Sequence, residues 1–179
     1  MQLTPGNLQG LFNQRFFKNF LPLPARCRFQ MGEILPDFTL KDTNRQIHQL
    51  SGYRGKPVVI LFTRIFTEKQ YSPSGYPHIQ SMNKAYRQLV GLGVAALMVT
   101  STDEFQSQRV QQDLSLEPPL LVDSACKVFR MYGTGQALGA PLPAQFVLDA
   151  QGRLRFQHLF SFAHTNATPE RLLWAVRNL

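Results

Sequence analysis

Apolar and polar residues follow each other along this chain in blocks that predict alternating strands and helices. Residues 58–62 form a continuous apolar run, and residues 94–99 form a second one. Uninterrupted apolar runs of this length are typical of strands that are buried on both faces of a sheet. Residues 76–90 lie between them and carry the mixed pattern of a helix. The order strand, helix, strand predicts an α/β domain.

The same alternation continues to the C-terminus. Gln151 and Gly152 predict a tight turn between two strands. Thr168 with Pro169 is a typical helix start, and Thr102 or Asp103 can cap the helix predicted at residues 103–113. From residue 31 onward the pattern predicts one domain in which helices flank a mixed central sheet. The other predicted elements are strands at 36–40, 47–50, 120–122, 143–149 and 153–160, and helices at 103–113, 124–132 and 168–179.

Residues 1–30 predict an amphipathic helical extension in front of a domain at residues 31–179. Thr4 and Pro5 suit the start of this helix, and Pro22 and Pro24 would end it. Its apolar face could pack on the domain, on a second copy of it, on another protein or on a membrane surface, and the sequence leaves these alternatives open. The residues predicted to contact such a partner are Leu8, Leu11, Phe12, Arg15, Phe16, Lys18 and Phe20.

Charge distinguishes the extension from the domain. The chain has 179 residues and a formal net charge of +8, with 44% hydrophobic and 17% charged residues, as in a globular protein. Residues 1–32 contain four basic side chains and no acidic one. An acidic surface on a protein, lipid or nucleic-acid partner would complement this segment.

Membrane and secretory features are absent from the sequence pattern. No apolar run approaches the roughly 18 residues that a membrane-spanning helix needs. The N-terminus lacks the unbroken apolar stretch of a secretory signal. Cys27 and Cys126 are too few for a scaffold stapled by disulfides. We therefore expect a cytoplasmic protein, which could also lie at the periphery of a membrane or of a large complex.

Several short motifs occur in an order that resembles one known family. Residues 32–40 contain Gly-Glu-x-x-Pro-Asp-Phe-x-Leu, residues 55–59 Gly-Lys-Pro-Val-Val, and residues 143–152 Pro-x-x-Phe-Val-Leu-Asp-x-x-Gly. With Tyr132-Gly133, they resemble the AhpC/TSA (peroxiredoxin-like) branch of the thioredoxin superfamily. Residues 62–71 and 77–79 resemble a cyanobacterial-type subgroup of it. The resemblance implies a thioredoxin-like fold and peroxide or dithiol/disulfide chemistry.

The resemblance also implies where the redox site would lie. Members of the subgroup carry Cys-Pro-x-Cys between the first buried strand and its helix, whereas this chain has Ser72, Pro73, Ser74 and Gly75 there. Neither a serine hydroxyl nor a glycine replaces a thiolate as the redox nucleophile. Pro143 matches the cis-proline of the family, which lies opposite this loop. We therefore expect no catalytic residue and no cofactor here, and neither peroxidase nor dithiol activity.

Cys126 and Cys27 remain as candidates for thiol chemistry. Cys126 is expected near the start of the helix at 124–132 and next to Lys127, and both features lower the pKa of a thiol. The alternative interpretation is a small core residue that shares an apolar face with Phe129. Cys27 lies between two arginines, and its pairing with Cys126 cannot be judged from spacing.

The spacing of the residues argues against other chemistries. His78 follows Ser72 by six residues, so the two side chains fall on different faces of a helix, and no acid is placed to orient the imidazole. His48, His158 and His164 have no metal-ligand spacing with each other or with a cysteine, so no metal is expected. Basic residues next to aromatic ones are scattered over unrelated elements, which argues against a nucleic-acid groove.

Two hypotheses for function follow. The first is a redox-inactive thioredoxin fold that serves as a protein-binding or structural subunit. The groove between the Ser72 loop and Pro143 would take an extended peptide by strand addition, and the N-terminal helix would add a second contact. The resemblance implies a large photosynthetic or other cytoplasmic assembly as the partner. The second hypothesis is a thiol-dependent oxidoreductase or antioxidant that acts through Cys126 or Cys27.

Overall fold

A mixed seven-stranded sheet forms the centre of the structure, a computed structural model that describes residues 14–26, 28–65 and 77–179. The strands are β1 (Thr39–Asp42), β2 (Ile47–Gln49), β3 (Val58–Phe62), β4 (Ala95–Thr100), β5 (Leu120–Val122), β6 (Gln136–Ala137), β7 (Ala140–Pro141), β8 (Ala144–Leu148) and β9 (Leu154–Leu159). The order in the sheet is β2-β1-β5-β4-β3-β8-β9, and β6 and β7 form a separate hairpin. Strand β4 pairs in parallel with β3 and β5, and the outer pairings are antiparallel.

Strand β3 lies at the middle of the core because its sequence is apolar without interruption. All five of its residues are buried, and it pairs with β4 on one side and β8 on the other. A strand with neighbours on both edges and layers on both faces has no position left for a polar side chain. The strand predicted at residues 58–62 is confirmed.

Helices and irregular segments cover the two faces of the sheet differently. The helices are α1 (Gln14–Lys18), α2 (Pro77–Gly91), α3 (Glu104–Asp113), α4 (Lys127–Met131) and α5 (Pro169–Arg177), with a 3₁₀ turn at Leu50–Tyr53. On one face α2, α3 and α5 bury aliphatic side chains against the sheet. On the other face α4 and the irregular chain around residues 29–38 cover an aromatic cluster. The predicted α/β class, with helices flanking a mixed sheet, is confirmed.

Two helix starts follow the chemistry predicted from the sequence. The Asp103 carboxylate accepts a hydrogen bond from the backbone N–H of Gln106 at 2.8 Å at the start of α3. The Thr168 hydroxyl accepts one from the N–H of Arg171 at 3.4 Å, and Pro169 is the first residue of α5. Side-chain caps of this kind satisfy N–H groups that have no partner within the helix.

The helix predicted at residues 124–132 is shorter in the structure and begins at Lys127. Cys126 has a positive φ of 53°, which places it outside the helix. The Asp123 carboxylate then accepts hydrogen bonds from the first three backbone N–H groups of α4, at 2.8–3.1 Å. Because the Asp123 side chain binds the first N–H groups of α4 directly, the residues between Asp123 and Lys127 form a turn and are not part of the predicted helix.

The strand predicted at residues 36–40 also starts later, at Thr39. The Asp37 carboxylate accepts hydrogen bonds from the N–H of Phe38 at 3.0 Å and from the N–H and hydroxyl of Ser51 at 2.8 and 2.7 Å. These bonds hold residues 36–38 against the 3₁₀ turn, so they do not pair in the sheet.

The N-terminal segment lies against the domain. Helix α1 ends at Lys18, earlier than the prolines predicted to end it, and the earlier part of the predicted helix lies outside the described residues. Leu23 and Gln136 exchange two backbone hydrogen bonds of 2.8 Å, and the N–H of Arg26 donates to the carbonyl of Gly133 at 2.9 Å. The segment therefore adds a short extended stretch to the edge of β6.

Candidate functional site

The predicted site loop, with Ser72, Pro73, Ser74 and Gly75, lies outside the described residues. The structure describes its two anchors, the end of β3 and the start of α2. Just after β3, Thr63 donates hydrogen bonds to the carbonyl of Val99 from its backbone N–H at 2.8 Å and from its hydroxyl at 2.9 Å. The junction therefore starts from a strand that is fixed to its neighbour, and its sequence holds no cysteine.

Pro143 lies buried between β7 and β8, but its peptide bond is not cis. The described part of the chain contains no cis peptide bond, so the expectation of a cis bond before Pro143 is corrected. The trans form is the intrinsically favoured one by about 0.5–1 kcal/mol. The N–H of Leu142 donates to the carbonyl of Gly135 at 3.1 Å, and Ala144 already pairs with Phe62. The chain thus runs extended from β7 into β8.

His78 lies at the start of α2 and is largely buried. Burial, and secondarily the neighbouring charge of His158, lower its pKa to about 4. Burial also lowers the pKa of His158, whose Nε2 lies 3.0 Å from the carbonyl oxygen of His164. Both imidazoles are therefore neutral near pH 7. In the described ranges, no group of three or more His, Cys, Asp or Glu side chains could hold a metal ion.

His48 forms hydrogen bonds with the side chains of Tyr53 and Asp42, which the sequence spacing did not predict. Its Nδ1 lies 2.6 Å from the hydroxyl of Tyr53, and its Nε2 lies 3.1 Å from the carboxylate of Asp42. Burial raises the pKa of Tyr53, which keeps its hydroxyl protonated. The other Asp42 oxygen accepts two backbone N–H bonds from the turn between β1 and β2. These hydrogen bonds from Asp42 and His48 stabilise the hairpin of β1 and β2 at the edge of the sheet.

Cys126 is buried in the aromatic cluster that also contains Phe129, with 2% of its surface exposed. The side-chain amide of Asn19 lies 3.7 Å from its Sγ, and Asn19 is itself 2% exposed. The N–H of Gly139 donates to the carbonyl of Asn19 at 3.1 Å, which fixes the residue in place. The N-terminal segment therefore covers the Cys126 thiol through Asn19. Cys27 lies outside the described residues.

The predicted partner-contact residues lie partly outside the described structure. Leu8, Leu11 and Phe12 are outside it, and the side chain of Arg15 is not described. Phe16 is partly buried and its ring centroid lies 5.4 Å from that of Phe20. Lys18 and Phe20 are exposed.

An exposed apolar surface adjoins α1. Phe17 is 66%, Phe20 52% and Leu21 71% exposed, and Leu138, in the turn of the hairpin beside Asn19, is 68% exposed. We call these four residues the N-terminal patch. The sequence pattern identified its phenylalanines, but it did not identify Leu138, because the hairpin strands are two residues long and show no periodicity. Within the described ranges, no helix combines the length and apolar character needed to cross a bilayer.

Comparisons with known proteins identify a family and several relatives to which this chain is similar. The model of the AhpC/TSA family matches residues 31–157. The thiol-disulfide oxidoreductase ResA of Geobacillus thermodenitrificans is 28% identical over 126 residues, which cover 70% of this chain and 67% of that protein. The chloroplastic peroxiredoxin Q of Suaeda salsa is 28% identical over 126 residues, and the match spans 57% of its length.

Solved structures show the same fold at lower identity. The peroxidoxin BcpB of Mycobacterium tuberculosis superposes with a TM-score of 0.68 at 15% identity, and the match covers 85% of this chain and 99% of that one. The solution structure of a putative protein disulfide isomerase from Bacteroides thetaiotaomicron superposes with a TM-score of 0.66 at 19% identity, and the match covers 87% of this chain and 91% of that one. At such identities the likeness establishes the fold alone.

Proposed function

The chain belongs to the AhpC/TSA family, and we propose that within it this protein is a redox-inactive, thioredoxin-fold binding protein. The observation that carries the proposal is the sequence of the junction between β3 and α2, which contains no cysteine. We propose that Ser72 and Gly75 stand at the positions of the two redox cysteines. Thiol peroxidases and dithiol oxidoreductases need a thiolate nucleophile. A serine hydroxyl has no such reactivity without a base. Burial lowers the pKa of the described His78 to about 4, which makes its imidazole a weak base.

The burial of Cys126 supports the same proposal. Redox-active cysteines are accessible, whereas structural cysteines in apolar surroundings are inert. Cys126 lies in an apolar cluster, and Asn19 covers its sulfur. Cys126 is only 2% exposed at the wall of a cavity that the N-terminal segment helps to enclose, so a peroxide or a partner disulfide has little access to its sulfur.

The binding part of the proposal rests on the N-terminal patch and on charge. Three of its four residues belong to a segment whose only charged side chains are basic. An apolar patch beside unbalanced positive charge favours a protein partner with an apolar contact surface and acidic surroundings. Residues 62–71 are similar to a cyanobacterial-type subgroup, so we propose a large assembly of a photosynthetic cell as the source of the partner.

A second candidate function is thiol-dependent redox chemistry through Cys126 and Cys27. One observation favours it: Arg26 and Arg28, which flank Cys27 in sequence, line the same cavity as Cys126. Release of the N-terminal segment would then expose a thiol pair in basic surroundings, which lower the pKa of a thiol.

Peroxide consumption and insulin reduction by the purified full-length protein separate the two functions. We expect no turnover above a protein-free control, and the same result for Cys126→Ala. Ser72→Cys/Gly75→Cys is the matched positive control, because it restores the motif on the same scaffold. Turnover by the unmodified protein that disappears in Cys126→Ala would establish the second function instead.

Substitutions in the N-terminal patch test whether it binds a protein partner. Deletion of residues 1–30 would also uncover Cys126, so Phe17→Gln/Phe20→Gln is the sharper variant. After a partner is recovered from the source cells and identified, its Kd is measured by calorimetry, and we expect the variant to weaken binding at least tenfold. Phe105→Gln/Phe162→Gln removes two other exposed phenylalanines as a control and should change the Kd by less than twofold. Equal weakening by both double variants would contradict a role for the patch.

A further inference from the structure

A cavity of about 610 Å³ lies between the N-terminal segment, helix α4 and the β6–β7 hairpin. Ligand-binding pockets in proteins commonly have volumes of about 300–1,000 Å³. Leu23 and Pro24 line the cavity from one side, and Phe129, Met131 and Pro141 line it from the domain. The cavity is therefore large enough for a small organic molecule and offers it apolar walls.

Four basic side chains line the same cavity, and no acidic residue of the described structure does so. Arg26 and Arg28 come from the N-terminal segment, whereas Lys127 and Arg130 lie three residues apart on α4. Positions three apart fall on one face of a helix, so both α4 side chains can reach the same opening. The aliphatic part of Arg28 packs beside Gly133, which fixes the stem of this side chain at the wall.

None of these four cations forms an ion pair with a carboxylate of the described residues. Arg130 donates a hydrogen bond to the carbonyl of Ala125 at 2.6 Å, which orients its guanidinium without neutralising it. Asp123, the acid that Arg130 influences electrostatically, lies outside the cavity and accepts three backbone N–H bonds from α4. These four cations are exposed to solvent. An anion that binds between them would reduce the repulsion among their like charges.

We propose that this cavity binds a small organic anion that carries phosphate or carboxylate groups on an apolar body. The guanidinium groups of Arg26, Arg28 and Arg130 suit the oxygens of such groups, which guanidinium binds in a bidentate manner. The apolar walls would hold the body of the ligand. The bound anion would bridge the N-terminal segment and α4, which carry two cations each. Cys126 also lines the cavity, but the proposed contacts use neither its thiol nor the N-terminal patch, so the proposal does not depend on the proposed function.

The test titrates the full-length protein with 1-naphthyl phosphate in calorimetry and in amide NMR spectra. We expect saturable binding at one site, with the largest shifts at the amides of Gly133, Gly135 and Gln136. Inorganic phosphate carries only the anionic half of this compound, and 1-naphthol carries only the apolar half. Each should bind at least tenfold more weakly than 1-naphthyl phosphate. The corresponding naphthoate shows whether a carboxylate replaces the phosphate.

Two charge-matched variants decide whether the cavity is responsible. Lys127→Gln/Arg130→Gln should weaken naphthyl phosphate binding at least tenfold. Lys84→Gln/Arg177→Gln lowers the net charge equally on the opposite face of the sheet and should change the Kd by less than twofold. Arg26→Gln/Arg28→Gln leaves α4 intact and should reproduce the tenfold loss if the first variant fails to fold. Absence of saturable binding, shifts that map elsewhere, or equal weakening by the control would overturn the proposal.

Discussion

The two faces of the central sheet are built in different ways. On the face covered by α2, α3 and α5, aliphatic side chains such as those of Leu61, Met82 and Leu172 fill the space between long helices and strands. On the other face, Phe62 contacts Phe129, Tyr132 and Phe146 at ring-centroid distances of 4.9–5.8 Å. We call these the helical face and the aromatic face.

The aromatic face lacks long helices, so single polar side chains hold its covering segments. Asp123 caps the five-residue α4, and the hydroxyl of Tyr132 donates to the carbonyl of Pro36 at 2.8 Å. Asn19 holds the N-terminal segment over Cys126. A surface closed by short segments leaves room for a cavity, whereas a surface closed by packed helices does not. The difference explains why the cavity and the N-terminal patch occur on the same side of the sheet.

The largest expected effect comes from removing one ring of the aromatic face. Phe146 and Val147 are adjacent in β8, fully buried, and belong to the aromatic and helical clusters respectively. Phe146→Ala should lower the free energy of unfolding by about 3–5 kcal/mol. Val147→Ala removes two methyl groups from the helical face and should cost about 1.5 kcal/mol. Urea unfolding measures both, and equal losses would contradict the central role of the aromatic cluster.

The second prediction concerns the cap of α4. Asp123→Ala leaves three buried N–H groups without their acceptor and should cost about 1–3 kcal/mol of unfolding free energy in urea. Burial raises the pKa of Asp123, an effect that its N–H donors and Arg130 offset only in part. Asp123→Asn keeps one of the two acceptor oxygens and places an amide donor at the other, so it should lose less stability than Asp123→Ala. A loss in Asp123→Asn as large as in Asp123→Ala would show that the charge is required.

These contrasts also show what the sequence could predict. The run at residues 58–62 identified β3, because an uninterrupted apolar segment is stable only between two layers. Asp103 and Thr168 identified two helix starts through local hydrogen bonds. Features of the helical face were therefore accessible, since they depend on periodicity and on neighbours a few residues away.

The aromatic face was less accessible for physical reasons. Asn19 and Cys126 are 107 residues apart, and no local pattern reports their contact. Cys126 has a positive φ, so α4 begins after it, whereas the sequence pattern predicted a helix that begins at residue 124. The isomer at Pro143 depends on tertiary context, because the intrinsic preference is only about 0.5–1 kcal/mol. The absence of cysteine from residues 63–76 could be read directly from the sequence, whereas the four cations of the cavity come from two segments distant in sequence.

The third prediction uses pH to probe the helical face at His78. Its folded-state pKa of about 4 lies below the ordinary value of 6.5 for an exposed histidine, so the unfolded chain binds more protons between these two values. Stability should therefore fall as the pH decreases from 7 to 5, by on the order of 1–2 kcal/mol. Asp37 and Asp149 have lowered pKa values and lose their contribution only at more acidic pH.

Urea unfolding of His78→Gln and wild type at pH 7 and pH 5 isolates this effect. The variant should lose a large part of the pH dependence, and the lowered pKa of His158 should account for a further part. His164→Gln, which changes an exposed histidine, should retain the pH dependence. A pH dependence that is unchanged in His78→Gln would show that other groups cause it.

The smallest expected effect concerns a cap on the helical face and completes the comparison with Asp123. Asp103→Ala removes one hydrogen bond, to the N–H of Gln106, at the exposed start of the ten-residue α3. The expected loss of unfolding free energy is about 1 kcal/mol, because water can replace the carboxylate and the helix keeps its buried residues. Asp113→Ala, at the other end of the helix, is the control and should be neutral or slightly stabilising, since an acid is unfavourable at a helix C-terminus. Urea unfolding gives both values. The loss of unfolding free energy in Asp103→Ala could equal or exceed the loss in Asp123→Ala. That result would mean that the helical face and the aromatic face depend on single polar caps to the same degree. The two faces would then differ only in the aromatic cluster.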